Sequence, residues 1–362
     1  MKRQEHMQFS RIVINGFKSI KKCDLNLNNI NVLIGCNGAG KSNFISILEL
    51  MQYIINGRLT NYAAKKGANY LFYNGPKVTD CIAVEFHFSD YIYTFDLEMT
   101  DYYNLLITKE SVGHINYLIS NGGYKESKLQ DWRNDAKTDS IAIHTVLEGH
   151  WRTYHFHDTS QNAKVKLAQN VTNAMFLHKD AGNLAAFLYR IKKHYPVDYN
   201  NILKSIQTIA PFFKNFVLYP EGENQELIVL RWQKKDCDDV FNAAHLSDGT
   251  LRFICLATLL LQPTELQPET IFIDEPELGL HPFSITMFAE MARKAAVNKQ
   301  IILATQSIEL LDNFEIEDII VVDNTENGSE FKRLDADNLK LWIENDYTLG
   351  ELWNKNVFGG RP

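Results

Sequence analysis

The sequence INVLIGCNGAGKSNFISILELMQYII, residues 30–55, places a glycine-rich turn between a short apolar run and an amphipathic run. Residues 30–34 are typical of a buried strand, and after the turn apolar side chains recur at helical spacing. Between them, GCNGAGKS at residues 35–42 matches the pattern G-x-x-x-x-G-K-[ST] in full, in the strand–turn–helix context that the pattern requires. The stretch therefore predicts a phosphate-binding loop at the start of a helix.

The residues of this loop have separate expected roles. The glycines let the backbone wrap around a phosphate, so that N–H groups and the helix N-terminus face its charge. Lys41 is expected to reach the β- and γ-phosphates, and Ser42 to ligate Mg²⁺. We therefore predict ATP and Mg²⁺ as cofactors, and an ATP-binding set of Gly35, Cys36, Asn37, Gly38, Ala39, Gly40, Lys41, Ser42 and Asn43.

A second motif, TIFIDEPELGLHP at residues 270–282, carries two acids after a short apolar run. The run predicts a buried strand, which delivers Asp274 and Glu275 to its carboxyl end, where ligands bind in such sheets. Asp274 is expected to hold Mg²⁺ through a water, and Glu275 to orient or deprotonate the attacking water. A solvated loop acid is the structural alternative for Glu275.

A third motif, LSDGT at residues 246–250, forms a short turn that leads into an apolar helix. A serine hydroxyl and free N–H groups at a helix start form a clamp for an anion. An ordinary helix N-cap by Ser247 or Asp248 is the alternative. The chain thus carries two devices for anions, far apart in the sequence.

Composition limits the class of protein. The chain has 362 residues, 45% hydrophobic and 22% charged, with a formal net charge of −7, which is ordinary for a globular protein with a large core. The acidic balance excludes a histone-like binder, but a local basic stripe is enough for DNA, which stays a candidate partner. The apolar run 253–261 is too short for a bilayer. With no secretion signal and no C-x-x-C pair among five cysteines, we expect a cytoplasmic protein without a membrane partner.

Taken together, GCNGAGKS, LSDGT, FIDEPELGLHP and LATQS (residues 303–307) resemble the motifs of ATP-binding-cassette (ABC) ATPases of the RecF, SMC and OLD group. Stand-alone bacterial members of this group are known as AAA-family ATPases. The opening RIVINGFKSIKKCDLNLNNINVLIG is similar to their N-terminal strands. The resemblance implies an α/β fold, an ABC-type ATPase head with a P-loop parallel sheet core, an antiparallel β subdomain, an inserted lid and a helical subdomain.

The hydrophobic pattern agrees with this outline. Residues 81–118 alternate as in an antiparallel meander, residues 181–209 are typical of a helical region, and short buried strands at 301–305 and 318–322 predict a parallel sheet. We divide the chain into an N-terminal ATPase lobe (1–118), an inserted lid and helical region (119–215), a C-terminal ATPase lobe (216–325) and a tail beyond the last core strand (326–362). The tail ends in LWNKNVFGGRP, interpreted as a docking segment or as packing of the chain end.

The resemblance also explains the second anion device. In this family the signature motif of one subunit caps the γ-phosphate held by another, which implies a head-to-tail dimer completed in trans. The expected signature residues are Leu246, Ser247, Asp248, Gly249 and Thr250. A dimer-signalling role is implied for Glu277, Leu278, Gly279, Leu280 and His281.

Two departures from the family pattern bear on catalysis. The switch position after the LAT strand is commonly histidine, but here it is Gln306, which can hydrogen-bond but cannot carry a proton. The predicted catalytic set is therefore Glu275, Lys41 and Gln306, with Ser42 and Asp274 for the metal. Residues 61–90 contain no glutamine, so the usual glutamine loop is not placed.

We predict an ATPase that closes homodimers, or higher homo-oligomers, on ATP. By the same resemblance it regulates a separately encoded effector, a nuclease, in DNA-linked anti-phage defence or DNA repair, because the sequence shows no fused Toprim nuclease pattern. Two alternatives stay open. One is the ATP subunit of a membrane transporter, which the long insertion between the first and third motifs disfavours. The other is a slow or non-hydrolysing nucleotide-gated DNA-binding scaffold, which Gln306 favours.

Overall fold

The chain folds as two units, Met1–Trp151 with Glu315–Pro362, and Arg152–Phe314. The computed structural model describes residues 9–88, 91–102, 104–113, 117–132, 151–221, 223 and 225–360. The four-part division predicted from the sequence, with boundaries at residues 118, 215 and 325, stays a prediction.

The described chain contains runs of consecutive strands and, towards its C-terminal part, strands that alternate with helices. The strands are β1 (Phe9–Phe17), β2 (Ile20–Asn26), β3 (Ile30–Ile34), β4 (Cys81–Phe88), β5 (Tyr91–Met99), β6 (Leu105–Gly113), β7 (Tyr117–Tyr124), β8 (Trp151–Tyr154), β9 (Gln169–Asn170), β10 (Phe213–Phe216), β11 (Leu227–Ile228), β12 (Arg231–Lys234), β13 (Val240–Asn242), β14 (Thr270–Asp274), β15 (Gln300–Thr305), β16 (Ile319–Thr325) and β17 (Gly328–Arg333). The α-helices are α1 (Lys41–Ile55), α2 (Leu59–Lys66), α3 (Leu129–Trp132), α4 (Leu184–His194), α5 (Pro196–Ile209), α6 (Asp248–Leu261), α7 (Pro282–Ala295), α8 (Ile308–Leu311), α9 (Ala336–Ile343) and α10 (Leu349–Asn354).

The first unit contains an antiparallel sheet with the strand order β2-β1-β4-β5-β6-β7. In β4 every second residue is buried, because side chains of a strand alternate between the two faces of the sheet. Ile14 of β1 lies opposite Val84 of β4, and both are buried. The meander predicted for residues 81–118 is confirmed in its described strands, and β7 extends it.

The phosphate loop of the first unit follows a strand of a second, shorter ladder. β3 pairs in parallel with β16, and β16 pairs antiparallel with β17. The strands predicted at residues 30–34 and 318–322 are therefore confirmed. The interpretation of residues 326–362 as lying beyond the last core strand is wrong, because residues 328–333 add β17. Its outer positions are polar, so it lacks the apolar pattern of a buried strand.

The second unit combines a parallel strand pair with helices. β14 and β15 pair in parallel, as predicted for the segments that carry the acidic and switch motifs. Helix α6 packs against α5 and α7, and β10, β12 and β13 form a separate antiparallel sheet. Residues 181–209 form two helices, because Pro196 has no N–H for the preceding helix and instead starts α5. The mixture of parallel and antiparallel sheets confirms the α/β class.

The predicted inserted lid is described only in part. Within it, the sequence SIAIHTV, residues 140–146, gives a first, loose strand signal, and this segment lies outside the described residues. The second strand signal, in residues 152–157, corresponds to β8, which ends at Tyr154. No described helix is both long enough and apolar enough to cross a membrane.

Candidate functional site

The phosphate loop in the first unit connects β3 to α1, and two of its glycines are required by close packing. A Cβ at Gly35 would overlap with the carbonyl oxygen of Val322 in β16, and one at Gly40 would overlap with Ser329 in β17. Gly40 also has a φ of 119°, which disfavours any side chain. The loop is thereby held against the ends of two neighbouring strands.

A network of hydroxyl groups supports the start of α1. The Asn43 side-chain amide donates to Ser19 Oγ at 2.7 Å, and Ser329 Oγ donates to the same oxygen at 2.7 Å. Sequence reasoning missed Ser19 and Ser329, because no local pattern links a turn after β1 to a strand near the end of the chain. The network joins α1, the β1–β2 turn and β17.

The loop fits a phosphate group. Lys41 is only 5% exposed, and its ammonium donates to the carbonyl oxygens of Gly35 at 2.6 Å and Cys36 at 3.0 Å. Gly38 has a φ of 81°, and no atom lies within 4 Å of the position that a Cβ would take. Ser42 is exposed, so its hydroxyl is accessible to a hard cation such as Mg²⁺. These are the features that an anion cradle requires.

A cavity of about 570 Å³ adjoins the first turn of α1. Its lining includes Lys18, Asn43, Lys66 and Tyr70, whose ring is 78% exposed. Burial, and secondarily the charge of Lys66, lowers the pKa of Lys18 to about 8. The Lys18 ammonium donates to Ser46 Oγ at 2.7 Å. The first unit therefore offers cations and an exposed aromatic ring beside the loop.

In the second unit the predicted acids lie at the carboxyl end of β14, as expected. Glu275 has a φ of 45°, in the left-handed region that non-glycine residues rarely adopt. Its N–H donates to the carbonyl oxygen of Ala304 in β15 at 2.8 Å. Such backbone strain costs on the order of 1–3 kcal/mol and is typical of functional sites. The backbone conformation of Glu275 therefore sets the direction of the chain after β14.

Two histidines after β8 lie beside Asp274. His157 Nε2 donates to the main-chain oxygen of Asp274 at 3.0 Å, and His155 Nδ1 lies 3.7 Å from Asp274 Oδ2. The sequence YHFHD around these histidines gives no indication of Asp274, which lies more than a hundred residues later. Within the described residues, no group of three or more His, Cys, Asp or Glu side chains is arranged to hold a metal.

The loop after β14 is tied to the switch position. Glu277 Oε1 accepts hydrogen bonds from Thr305 Oγ1 at 2.7 Å and from the N–H of Gln306 at 3.2 Å. Burial raises the pKa of Glu277, and the nearby charge of Glu275 raises it further. Its Oε2 is buried without a hydrogen-bond partner in the described part of the chain. Glu277 thus has a role inside its own chain besides the predicted signalling role.

Ser247 caps α6, as the structural alternative stated. Its Oγ accepts from the N–H of Thr250 at 3.2 Å and lies 2.8 Å from Thr250 Oγ1. A Cβ at Gly249 would overlap with the carbonyl oxygen of Gly279. The predicted signature and signalling segments therefore pack together within one chain, and their glycines permit the close approach.

Arg252 links the signature helix to two backbone segments and was not singled out from the sequence. Its guanidinium donates to the carbonyl oxygens of Leu278 at 2.8 Å, His157 at 2.9 Å and Phe156 at 3.2 Å. At the other end of the signalling loop, His281 caps α7 by accepting from the N–H of Phe283. The loop is thus held at both ends.

Comparison with known proteins gives one family and several similar folds. The family model described as "AAA domain, putative AbiEii toxin, Type IV TA system" matches residues 30–312. No curated protein matches the sequence.

Two solved structures illustrate the similar folds. One is an Smc head bound to the C-winged helix domain of ScpA, with 14% identity over 93% of this chain and 99% of that chain, and a TM-score of 0.59. The other is an Smc head domain with an extended coiled coil, bound to the C-terminal domain of ScpA derived from Pyrococcus furiosus. It is 12% identical over 93% of this chain and 99% of that chain, with a TM-score of 0.58. This likeness concerns the fold alone, and it confirms the predicted α/β fold class.

Proposed function

Because the chain belongs to the family of AAA domains described as a putative AbiEii toxin of type IV toxin–antitoxin systems, we propose that it binds and hydrolyses ATP. The observation that carries the proposal is the phosphate loop, with its buried Lys41 and the open space at Gly38. The cavity beside α1 supports it, since cations and an exposed ring suit the remainder of a nucleotide.

The proposed chemistry divides among residues of this chain. Lys41 and the loop N–H groups bind the β- and γ-phosphates, and the hydroxyl of Ser42 and the carboxylate of Asp274 hold Mg²⁺. When bound, Mg²⁺ neutralises charge on the phosphates. Glu275 accepts the proton of the attacking water, while Gln306 orients that water by hydrogen bonding.

We also propose that a second copy of the chain completes each site. Ser247 and Asp248 are exposed at the start of a 14-residue helix, and the N-terminus of a helix favours an anion. Leu278 and Phe283 nearby are 40% and 51% exposed, and exposed apolar side chains of this size suit a protein contact. In this arrangement, Ser247 and Gly249 of one copy face the γ-phosphate bound by Lys41 of the other.

A mixture of two inactive variants tests completion in trans. Lys41→Ala disables the phosphate loop of its own chain, and Ser247→Arg blocks the signature segment that the chain offers to its partner. Each alone is expected to be inactive, but an equal mixture should regain about a quarter of wild-type turnover, since half of the dimers carry one intact site of two. The measurement is phosphate release after mixing at matched total concentration. A mixture as inactive as its components would contradict completion by the partner copy.

The affinity for ATP should depend on pH through Lys18. Because its pKa is lowered to about 8, Lys18 is mostly charged at pH 7.5 and mostly neutral at pH 9.5, whereas an ordinary lysine stays charged across that range. The Kd for ATP is therefore expected to rise about 7- to 20-fold between these pH values, because a charge-assisted hydrogen bond worth about 1.5–3 kcal/mol is lost as Lys18 becomes neutral. Equilibrium binding of a fluorescent ATP analogue measures this change.

Lys18→Gln should bind more weakly than wild type at pH 7.5 and show little further change with pH. The matched control is Lys22→Gln, an exposed lysine of the adjacent strand β2, which should follow the wild-type profile. A Lys18→Gln profile as steep as that of wild type would exclude Lys18 from the nucleotide site.

The proposed output is regulation of a separately encoded effector, a nuclease, in DNA-linked defence or repair. The description of the family as part of toxin–antitoxin systems supports a regulatory output. Isolation of the tagged chain with ATP and Mg²⁺ present, followed by identification of bound proteins and nucleic acid, tests this part. Recovery of the chain without a nuclease or DNA would contradict it.

One alternative has support from a specific residue. Gln306 cannot carry a proton, which favours a slow or non-hydrolysing scaffold that uses ATP only to close. Phosphate release above background from wild type, abolished in Lys41→Ala, would exclude a scaffold that does not hydrolyse ATP. A rate equal to that of Lys41→Ala would instead exclude the enzyme.

A further inference from the structure

The C-terminal segment Gly359–Gly360 contacts the phosphate loop of its own unit. The carbonyl oxygen of Gly360 accepts the N–H of Cys36 at 2.9 Å. In the opposite direction, the N–H of Gly360 donates to Asp323 Oδ2, at the end region of β16, at 3.2 Å. The segment therefore bridges the side chain of a strand residue and the backbone of the loop.

The fit of this segment requires glycine. Gly359 and Gly360 both have a φ of 84°. A Cβ at Gly360 would lie 2.9 Å from Val321 Cγ1 and 3.2 Å from Trp353 Nε1, closer than side chains normally approach. The chain reaches this position from α10 through a turn in which the N–H of Val357 donates to the carbonyl oxygen of Leu352 at 3.0 Å. The interpretation as chain-end packing thus agrees with the described contacts.

The contact acts on Lys41 through one peptide plane. The N–H of Cys36 and the carbonyl group of Gly35 belong to the same peptide, which is planar and trans, so they point in opposite directions. The N–H is held by Gly360, and the Gly35 oxygen accepts from Lys41 Nζ at 2.6 Å. Holding one end of this peptide therefore orients the oxygen that holds the ammonium.

We propose that Gly359–Gly360 is a positioning element for Lys41, which keeps the phosphate loop in its binding conformation. This inference rests on the proposed function of the loop as an ATP site. A loop that must be ordered on binding loses affinity to conformational entropy, whereas a loop ordered beforehand does not. The segment should therefore affect the binding of ATP more than its hydrolysis.

Full-length Gly360→Ala and Asp323→Ala test the proposal from its two ends. Both are expected to raise the Kd and KM for ATP about 5- to 10-fold, as for the loss of one hydrogen bond, with kcat nearly unchanged. The matched control is Gly57→Ala, since Gly57 also has a positive φ, 61°, but no neighbour within 4 Å of an added Cβ. Gly57→Ala also places an alanine at a positive φ, and it should bind ATP as wild type does.

Amide hydrogen exchange without ATP provides a second measurement. The Cys36 amide should exchange about 10-fold faster in both variants than in Gly57→Ala, because its acceptor, the carbonyl oxygen of residue 360, is no longer held in place. Faster exchange with an unchanged Kd in both variants would overturn the positioning role, and so would unchanged exchange with an unchanged Kd. If wild type itself binds no ATP, the proposed function fails, and faster exchange in the variants would still establish that the segment orders the loop.

Discussion

Glu275→Gln is expected to lower ATP turnover by about 10²- to 10⁴-fold, the usual contribution of a general base, while ATP still binds. Glutamine keeps the size of glutamate and can orient a water, but it cannot accept its proton. The position of residue 275 depends on its N–H bond to Ala304 and on its left-handed backbone, neither of which the substitution removes. The variant should therefore retain its fold and accumulate in the ATP-bound, closed form.

Three measurements on this variant check the expectation: phosphate release, equilibrium binding of ATP, and solution size with ATP and Mg²⁺. The matched control is Glu290→Gln, an exposed glutamate on α7 in the same unit, which should behave as wild type does. Turnover by Glu275→Gln at the wild-type rate would show that another group serves as the base. A loss of ATP binding along with turnover would show that Glu275 acts on affinity and not on the chemical step.

Lys41→Ala is expected to weaken ATP binding about 100-fold or more, since charge-assisted hydrogen bonds to phosphate contribute about 1.5–3 kcal/mol each. The ammonium is buried and already held at the loop by the carbonyl oxygens of Gly35 and Cys36. It therefore needs little reorganisation to meet a phosphate. Removal of this cation leaves those carbonyl oxygens and any bound phosphate without their donor.

Calorimetric titration with ATP measures this effect, and circular dichroism confirms that the variant is folded. Lys193→Ala is the control, because Lys193 is an exposed lysine in the last turn of α4 and changes the net charge equally. A Kd for Lys41→Ala within a few-fold of wild type would exclude the loop as the phosphate site. Weakening by both variants alike would instead indicate a general effect of charge.

The local features of the candidate site were accessible from the sequence. The phosphate loop lies between β3 and α1 as its motif required, and Asp274 ends the predicted strand. These features depend on residues within a few positions of each other. Over such short stretches, apolar periodicity and the positions of glycine allow few backbone conformations. The boundary between α4 and α5 was also readable, at Pro196, although the apolar periodicity suggested one helical region.

Contacts between distant segments were not accessible. Nothing near His157 indicates that its imidazole meets the backbone of Asp274, and nothing near Ser19 points to Ser329. In the described part of the chain, the hydrogen bonds of Arg252 go to carbonyl oxygens. Every residue has a carbonyl oxygen, so the sequence around these partners does not indicate that they bind Arg252. Gly279 was expected to signal between subunits, yet its carbonyl oxygen packs against Gly249 of the same chain.

By itself, the sequence determined the class of fold, the phosphate loop and the order of the acidic, signature and switch motifs. It could do so because each depends on short-range hydrophobic pattern and turn chemistry. Only the tertiary structure decided that Glu277 ties its loop to Gln306 and that Gly360 holds the Cys36 amide. In each case a segment far away in the chain supplies a backbone group as one partner, and backbone groups are the same for nearly every residue. The type of a residue therefore does not predict such a partner, which becomes known only from the packing of the folded chain.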